Sequence, residues 1–133
     1  MIDLNFSGTK ELDEVKFKPM PDGQYTFNIT AAEVKPSKDT EKAASLKVVL
    51  AWTENPKQTI WCWFYLDQTS EFGMAVLKDF LEKIYHEKFD SELSLDTDDL
   101  VGKEIQAIVT QEFRQDKPSV KQNVIVEYIA VPF

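Results

Sequence analysis

Along most of this 133-residue chain apolar and polar side chains alternate with a period of two, and one central stretch switches to a helical period. After turn chemistry at Pro21, Asp22 and Gly23, "QYTFNIT" sets Tyr25, Phe27 and Ile29 against Gln24, Thr26 and Asn28. That pattern predicts a strand continuing through "AAEVK" to about Lys35. A polar, lysine-bearing loop, "KPSKDTEKA", leads to a second strand, "SLKVVLAWT". There Leu46, Val48, Leu50 and Trp52 share one face, and Lys47, Val49 and Ala51 take the other. "ENPKQ" reads as a turn into a third strand within "TIWCWFYLDQ". Short polar connections between three strands predict an antiparallel meander.

From Ser70 the spacing of Phe72, Val76, Leu77, Phe80, Leu81 and Ile84 is that of one helix face, with Ser70 as N-cap and Glu71 in the first turn. The expected helix is 70–86. An acidic connector, "SELSLDTDDLVGK", follows, and then two strands, "EIQAIVTQEF" and "VKQNVIVEYIAV", separated by the turn "RQDKPS". Residues 1–20 lack periodicity and read as an N-terminal arm, with Phe6, Val15 and Phe17 available to dock. The chain is then one domain, 1–133, in the order β-β-β-α-β-β. This predicts a mainly β fold of the OB type, a five-stranded Greek-key barrel with its helix between strands three and four. An SH3-like barrel or a small β-sandwich with one helix fits the order less well.

Composition narrows the function. Apolar residues are 43% and charged residues 29%, a soluble globular balance, and no apolar run approaches the ~20 residues of a membrane helix. The first residues lack the order of a secretory signal, and the single cysteine, Cys62, reads as a small buried hydrophobe. A reducing cytoplasm is expected. One histidine (His86), one cysteine and four glycines supply no zinc site, no phosphate-cradling loop and no nucleophile–base pair. The cluster Asp96, Asp98 and Asp99 lacks the glycine and closing glutamate of a calcium loop. No enzyme, cofactor or metal is expected. The net charge of −8 disfavours a nucleic-acid ligand, but residues 67–101 hold ten acidic against three basic residues. The remainder is close to neutral.

The third strand carries the functional signal. "WCWFY" packs two tryptophans, a phenylalanine and a tyrosine into five positions. Cys62, Phe64 and Leu66 would fill the core, leaving Trp61, Trp63 and Tyr65 in a row outside, beside Lys47. Single-stranded nucleic acid stacks its bases on such rings, while basic side chains offset the phosphates. Lys35, Lys38 and Lys42 of the first loop, Lys57, and Arg114, Lys117 and Lys121 near the last hairpin complete the expected groove. Two other readings of the row are a subunit or partner interface, a homodimer included, and cover by another part of the chain. The closing Pro132-Phe133 lacks the acidic run that precedes such a pair in bacterial single-stranded DNA-binding proteins, and reads as the end of a strand.

The order "LNFSG", "FKPMPDGQYTFNIT", "EVKPSKDTEKAASLKVVLAW", "FYLD", "LKDFLEKI" and "LVGKEIQAIV" resembles a bacteriophage family of OB-fold single-stranded DNA-binding proteins, long known only as a domain of unknown function. The resemblance covers nearly the full chain through short, degenerate motifs. It implies a replication or recombination accessory in the bacterial cytoplasm that coats single strands with little sequence preference, and phage or host replication proteins as partners. By position, it puts the binding surface at Lys35, Lys38, Lys47 and the outward side of "WCWFY". The long acidic tail of better-known relatives is missing, which places tail-mediated recruitment in doubt.

Overall fold

The structure is a computed structural model that describes residues 1–10, 19–38 and 42–132. Its elements are β1 (Gly23–Lys35), β2 (Ser45–Trp52), β3 (Asn55–Tyr65), α1 (Glu71–Tyr85), a short 3-10 turn (Thr97–Leu100), β4 (Glu104–Phe113) and β5 (Lys121–Ile129). All five strands form one antiparallel sheet in the order β3-β2-β1-β4-β5. Among the described residues the fold is mainly β with one α-helix, as the sequence periodicities require. The sheet is open: β3 and β5 are its two edges, and the closed ladder of the expected barrel is not formed.

β1 joins the two halves. Its first part pairs with β4 over Gly23–Asn28, and its later part pairs with β2 over Phe27–Lys35. The register to β2 shifts between Ile29 and Ala31, so Thr30 is an extra residue. A bulge of this kind bends the strand and increases its twist. It also reverses the alternation: Phe27 and Ile29 are buried before it, whereas Ala32 packs against the core after it. The Ile29 amide donates to the Lys103 carbonyl and its carbonyl accepts from Gly102, both at 2.8 Å. Gly102 turns there at φ 92°, a left-handed conformation that favours glycine.

The expected turn at "ENPKQ" is shorter than the sequence suggests. Trp52 pairs with Asn55 across a two-residue turn, so β3 already includes Pro56. Proline has no N–H to give a ladder, and β3 tolerates it because it is an edge strand. Ala51 has the outward parity but is buried, its methyl lying between its cross-strand neighbours Asn28 and Thr59.

One side of the sheet carries the core: Phe27, Ile29, Leu46, Val48, Leu50, Ile60, Cys62, Phe64, Ile105, Ala107 and Val109. Each fully buried large side chain contributes about 1.5–3 kcal/mol. α1 closes this side. Ser70 caps it as predicted, its Oγ accepting from the Gly73 amide at 3.1 Å. Phe80 of α1 stacks on Phe64 at 4.6 Å and meets Tyr128 of β5 at 4.9 Å, so the helix bridges the two sheet edges by side chains. Burial deepens along α1, from half-buried Val76 and Leu77 to Phe80, Leu81 and Ile84. Phe72, expected on the core face, is 81% exposed, and the burial on α1 falls on Phe80, Leu81 and Ile84.

His86 ends the helix at φ 56°, its amide donating to the Glu82 carbonyl. Glu82 then accepts the Phe89 amide at 2.7 Å, and this bond holds its carboxyl below the usual range. Asp96 caps the 3-10 turn, whose Leu100 is fully buried, so the acidic connector is anchored at both ends. The N-terminal side is pinned at Met20, which is buried and exchanges backbone hydrogen bonds with the Asn123 side chain. Phe6 is exposed rather than docked, while Val15, Phe17 and Phe133 lie outside the described residues. Among the described residues no helix is long and apolar enough to cross a membrane.

Candidate nucleic-acid interface

Alternation along β3 sends Cys62 and Phe64 into the core and Trp61, Trp63 and Tyr65 out, as expected from the sequence. Ile60 joins the inward set, while Leu66 lies just past the strand and is half-buried against the core. The three outward rings are 59%, 55% and 41% exposed. Residues two apart on a strand repeat every ~6.6 Å, so the rings form an evenly spaced row along the sheet edge. By the same alternation Thr59, opposite Ala51, extends the row; beyond it the register to β2 shifts, and Lys57 is exposed near the start of β3.

Register supplies the neighbours of the row. Val49, Lys47 and Ser45 of β2 stand opposite Trp61, Trp63 and Tyr65. Ala31, Glu33 and Lys35 of β1 stand opposite Val49, Lys47 and Ser45. The outer face is therefore a grid three strands wide, with aromatic rings on the edge and a polar lane beside them. The Lys47 Nζ lies 3.7 Å from the Trp61 ring centre and 5.7 Å from that of Trp63. This cation–π contact contributes about 0.5–1 kcal/mol at an exposed site. It also places a cation over the surface on which a flat ligand would stack. Lys35 pairs with Glu33 at 3.2 Å, both about half exposed.

Lys38 and Lys42 are exposed on the connection into β2, next to residues 39–41, which lie outside the described residues. Arg114, Lys117 and Lys121 belong to the β4–β5 hairpin, at the opposite end of the sheet order from β3. Arg114 is engaged locally: its Nε donates to Asp116 at 2.9 Å, and this bond keeps the Asp116 carboxyl below its ordinary value. The Lys121 ammonium lies 5.2 Å from the ring of its cross-strand partner Phe113, which is exposed. Cross-strand pairing gathers Lys35, Lys47 and the three rings on one face, while the hairpin cations lie on β4 and β5 and the turn between them, and neither strand pairs with β3.

One residue of this surface and one of the β4–β5 hairpin are not foreseen from the sequence. Glu33 is on the face because the Thr30 bulge reverses the alternation of β1, and a bulge leaves no composition signal. Phe113 has inward parity but stands past the end of the core, where alternation no longer means burial.

Reactive groups elsewhere are occupied by structure. Cys62 is buried and hydrogen-bonded to Tyr128, and burial pushes its thiol up to about 11, so it stays protonated at neutral pH. Among the described residues no three His, Cys, Asp or Glu side chains are grouped to hold a metal ion. A groove of about 1090 Å³ runs between Val34 and Leu46 on the sheet, Met74, Leu77 and Leu81 of α1, and residues 89–95. Its lining mixes aliphatic side chains with polar and charged ones, among them Lys78, Asp90 and Glu92. No protein-family model matches the chain, and no curated protein matches it.

Proposed function

We propose that this protein is a non-catalytic OB-type domain that binds single-stranded DNA on the outer face of β1, β2 and β3, largely independent of sequence. The OB reading is supported by the strand order and by the side-chain meeting of the sheet edges, with Phe64 and Tyr128 rings 6.1 Å apart over Phe80. The observation that carries the function is the exposed row Trp61–Trp63–Tyr65 with the Lys47 ammonium held over its rings. Bases have π-faces to replace that ammonium, and the displaced lysine meets a phosphate. The net charge of −8 is concentrated in residues 67–101, which supply none of this face. The resemblance to phage single-stranded DNA-binding proteins supports a role in replication or recombination in a bacterial cytoplasm.

Titration with oligo-thymidylate, followed by tryptophan fluorescence, tests the reading. Quenching is expected at 50 mM salt. With two or three lysines on phosphates, affinity falls roughly tenfold between 50 and 200 mM salt, from a slope near −0.7 per contact. Trp63→Ala is expected to weaken binding by about 1–3 kcal/mol, one base stack, with an unchanged circular dichroism spectrum. Absence of quenching at low salt refutes the proposal. The same aromatic face also suits a subunit interface. A stable oligomer by light scattering, with tryptophans shielded from acrylamide and indifferent to DNA, is the outcome that favours it.

A further inference from the structure

The DNA-binding face carries one acidic side chain amid its cations, and its position gives it a task. Glu33 shares a cross-strand row with Lys47 and Trp63, at about two strand spacings, near 10 Å, from the ring. A base stacked on Trp63 spans much of that gap, so its hydrogen-bonding edge and the Glu33 carboxylate come within reach. Lys35 engages Oε1 of Glu33 at 3.2 Å. A carboxylate has about four acceptor sites, so this bond leaves capacity for a ligand.

We infer that Glu33 reads the edge of the base stacked on Trp63 and favours guanine, an assignment that rests on the DNA-binding reading above. A carboxylate only accepts hydrogen bonds. Guanine is the DNA base whose edge offers two adjacent donors, N1–H and the N2 amino group, which match the two carboxylate oxygens. Cytosine and adenine offer an amino group beside a bare ring nitrogen. Thymine offers one N–H between two carbonyls that the carboxylate repels. The face therefore binds any single strand by stacking, with a guanine preference superimposed at one position. Phosphates are repelled by Glu33, so the strand lies with its base edges toward β1 and its backbone on the β3 side, toward which Lys47 already extends with its ammonium over the Trp61 ring.

The test compares DNA hexamers of alternating thymidine with guanosine, adenosine or cytidine, and all-thymidine, in lithium buffer to suppress guanine quadruplexes. The adenosine hexamer controls for the stronger stacking of purines. Wild type is expected to bind the guanosine hexamer roughly fivefold tighter than the adenosine one, the low end for a bidentate base contact because the carboxylate is half in water. In Glu33→Gln and Glu33→Ala that ratio is expected to fall to near one. A ratio that persists in both variants overturns the inference, as does a uniform rise in affinity for all four hexamers, which would mean that Glu33 only repels phosphate. In both cases DNA binding itself survives. Failure of every hexamer to bind wild type at low salt instead removes the DNA-binding reading and the inference with it.

Discussion

Phe72 and Phe80 lie eight residues apart on one helix and, by spacing, on one face; truncating each to alanine is expected to give opposite results. Phe80 is fully buried, stacked on Phe64 at 4.6 Å and tilted against Tyr128 at 4.9 Å. Phe→Ala in a core costs about 3–5 kcal/mol, transfer and cavity together. Two aromatic contacts are lost and the site joins β3, β5 and α1, so little collapse can refill it, and about 4 kcal/mol is expected. Phe72 is 81% exposed and has almost no contact to lose, while alanine is the better helix former by a few tenths of a kcal/mol. Phe72→Ala is therefore expected to lie within about 0.5 kcal/mol of wild type. With a urea slope near 2 kcal/mol per molar, Phe80→Ala lowers the unfolding midpoint by about 2 M and Phe72→Ala leaves it in place. Urea titrations followed by circular dichroism give both numbers. Equal midpoint shifts would refute the placement of α1, and a shift of under 0.5 M for Phe80→Ala would refute its role as the bridge between the sheet edges.

Ser70→Ala removes the acceptor for the Gly73 amide and is expected to cost about 1 kcal/mol by the same titration, whereas Ser70→Asp retains the cap and most of the stability. The Cys62 thiol ionises near 9.0 when unfolded and about 11 when folded, so the native state holds the proton more tightly. The stability this contributes is whole below pH 9 and is lost as pH rises toward 11. Near pH 10 the loss is on the order of 1 kcal/mol relative to pH 8, read as a lower urea midpoint. Tyr128, its phenol likewise raised by burial, shifts stability in the same direction at higher pH. An aromatic disulfide reagent at pH 8 is expected to leave Cys62 untouched in native protein and to react with it in urea.

Features encoded in neighbouring residues are legible in the chain itself. The inward set Cys62 and Phe64 against the outward set Trp61, Trp63 and Tyr65 follows from strand alternation, and the Ser70 cap and the bounds of β4 from local chemistry. These depend on backbone dihedrals and on side chains a few positions apart. What the chain could not announce is set by partners distant along it. The Thr30 bulge, which puts Glu33 beside Lys47, exists because β1 must serve β4 and β2 at once. Pro56 lies within a strand because β3 is an edge, and Phe72 is bare although helical spacing assigns it to the core face. Arg114, Lys117 and Lys121 belong to a hairpin whose strands, β4 and β5, do not pair with β3, so the ladder that sets Lys47 beside the rings does not include them. Periodicity tells a side chain which way to point; only pairing across the sheet determines what it meets there.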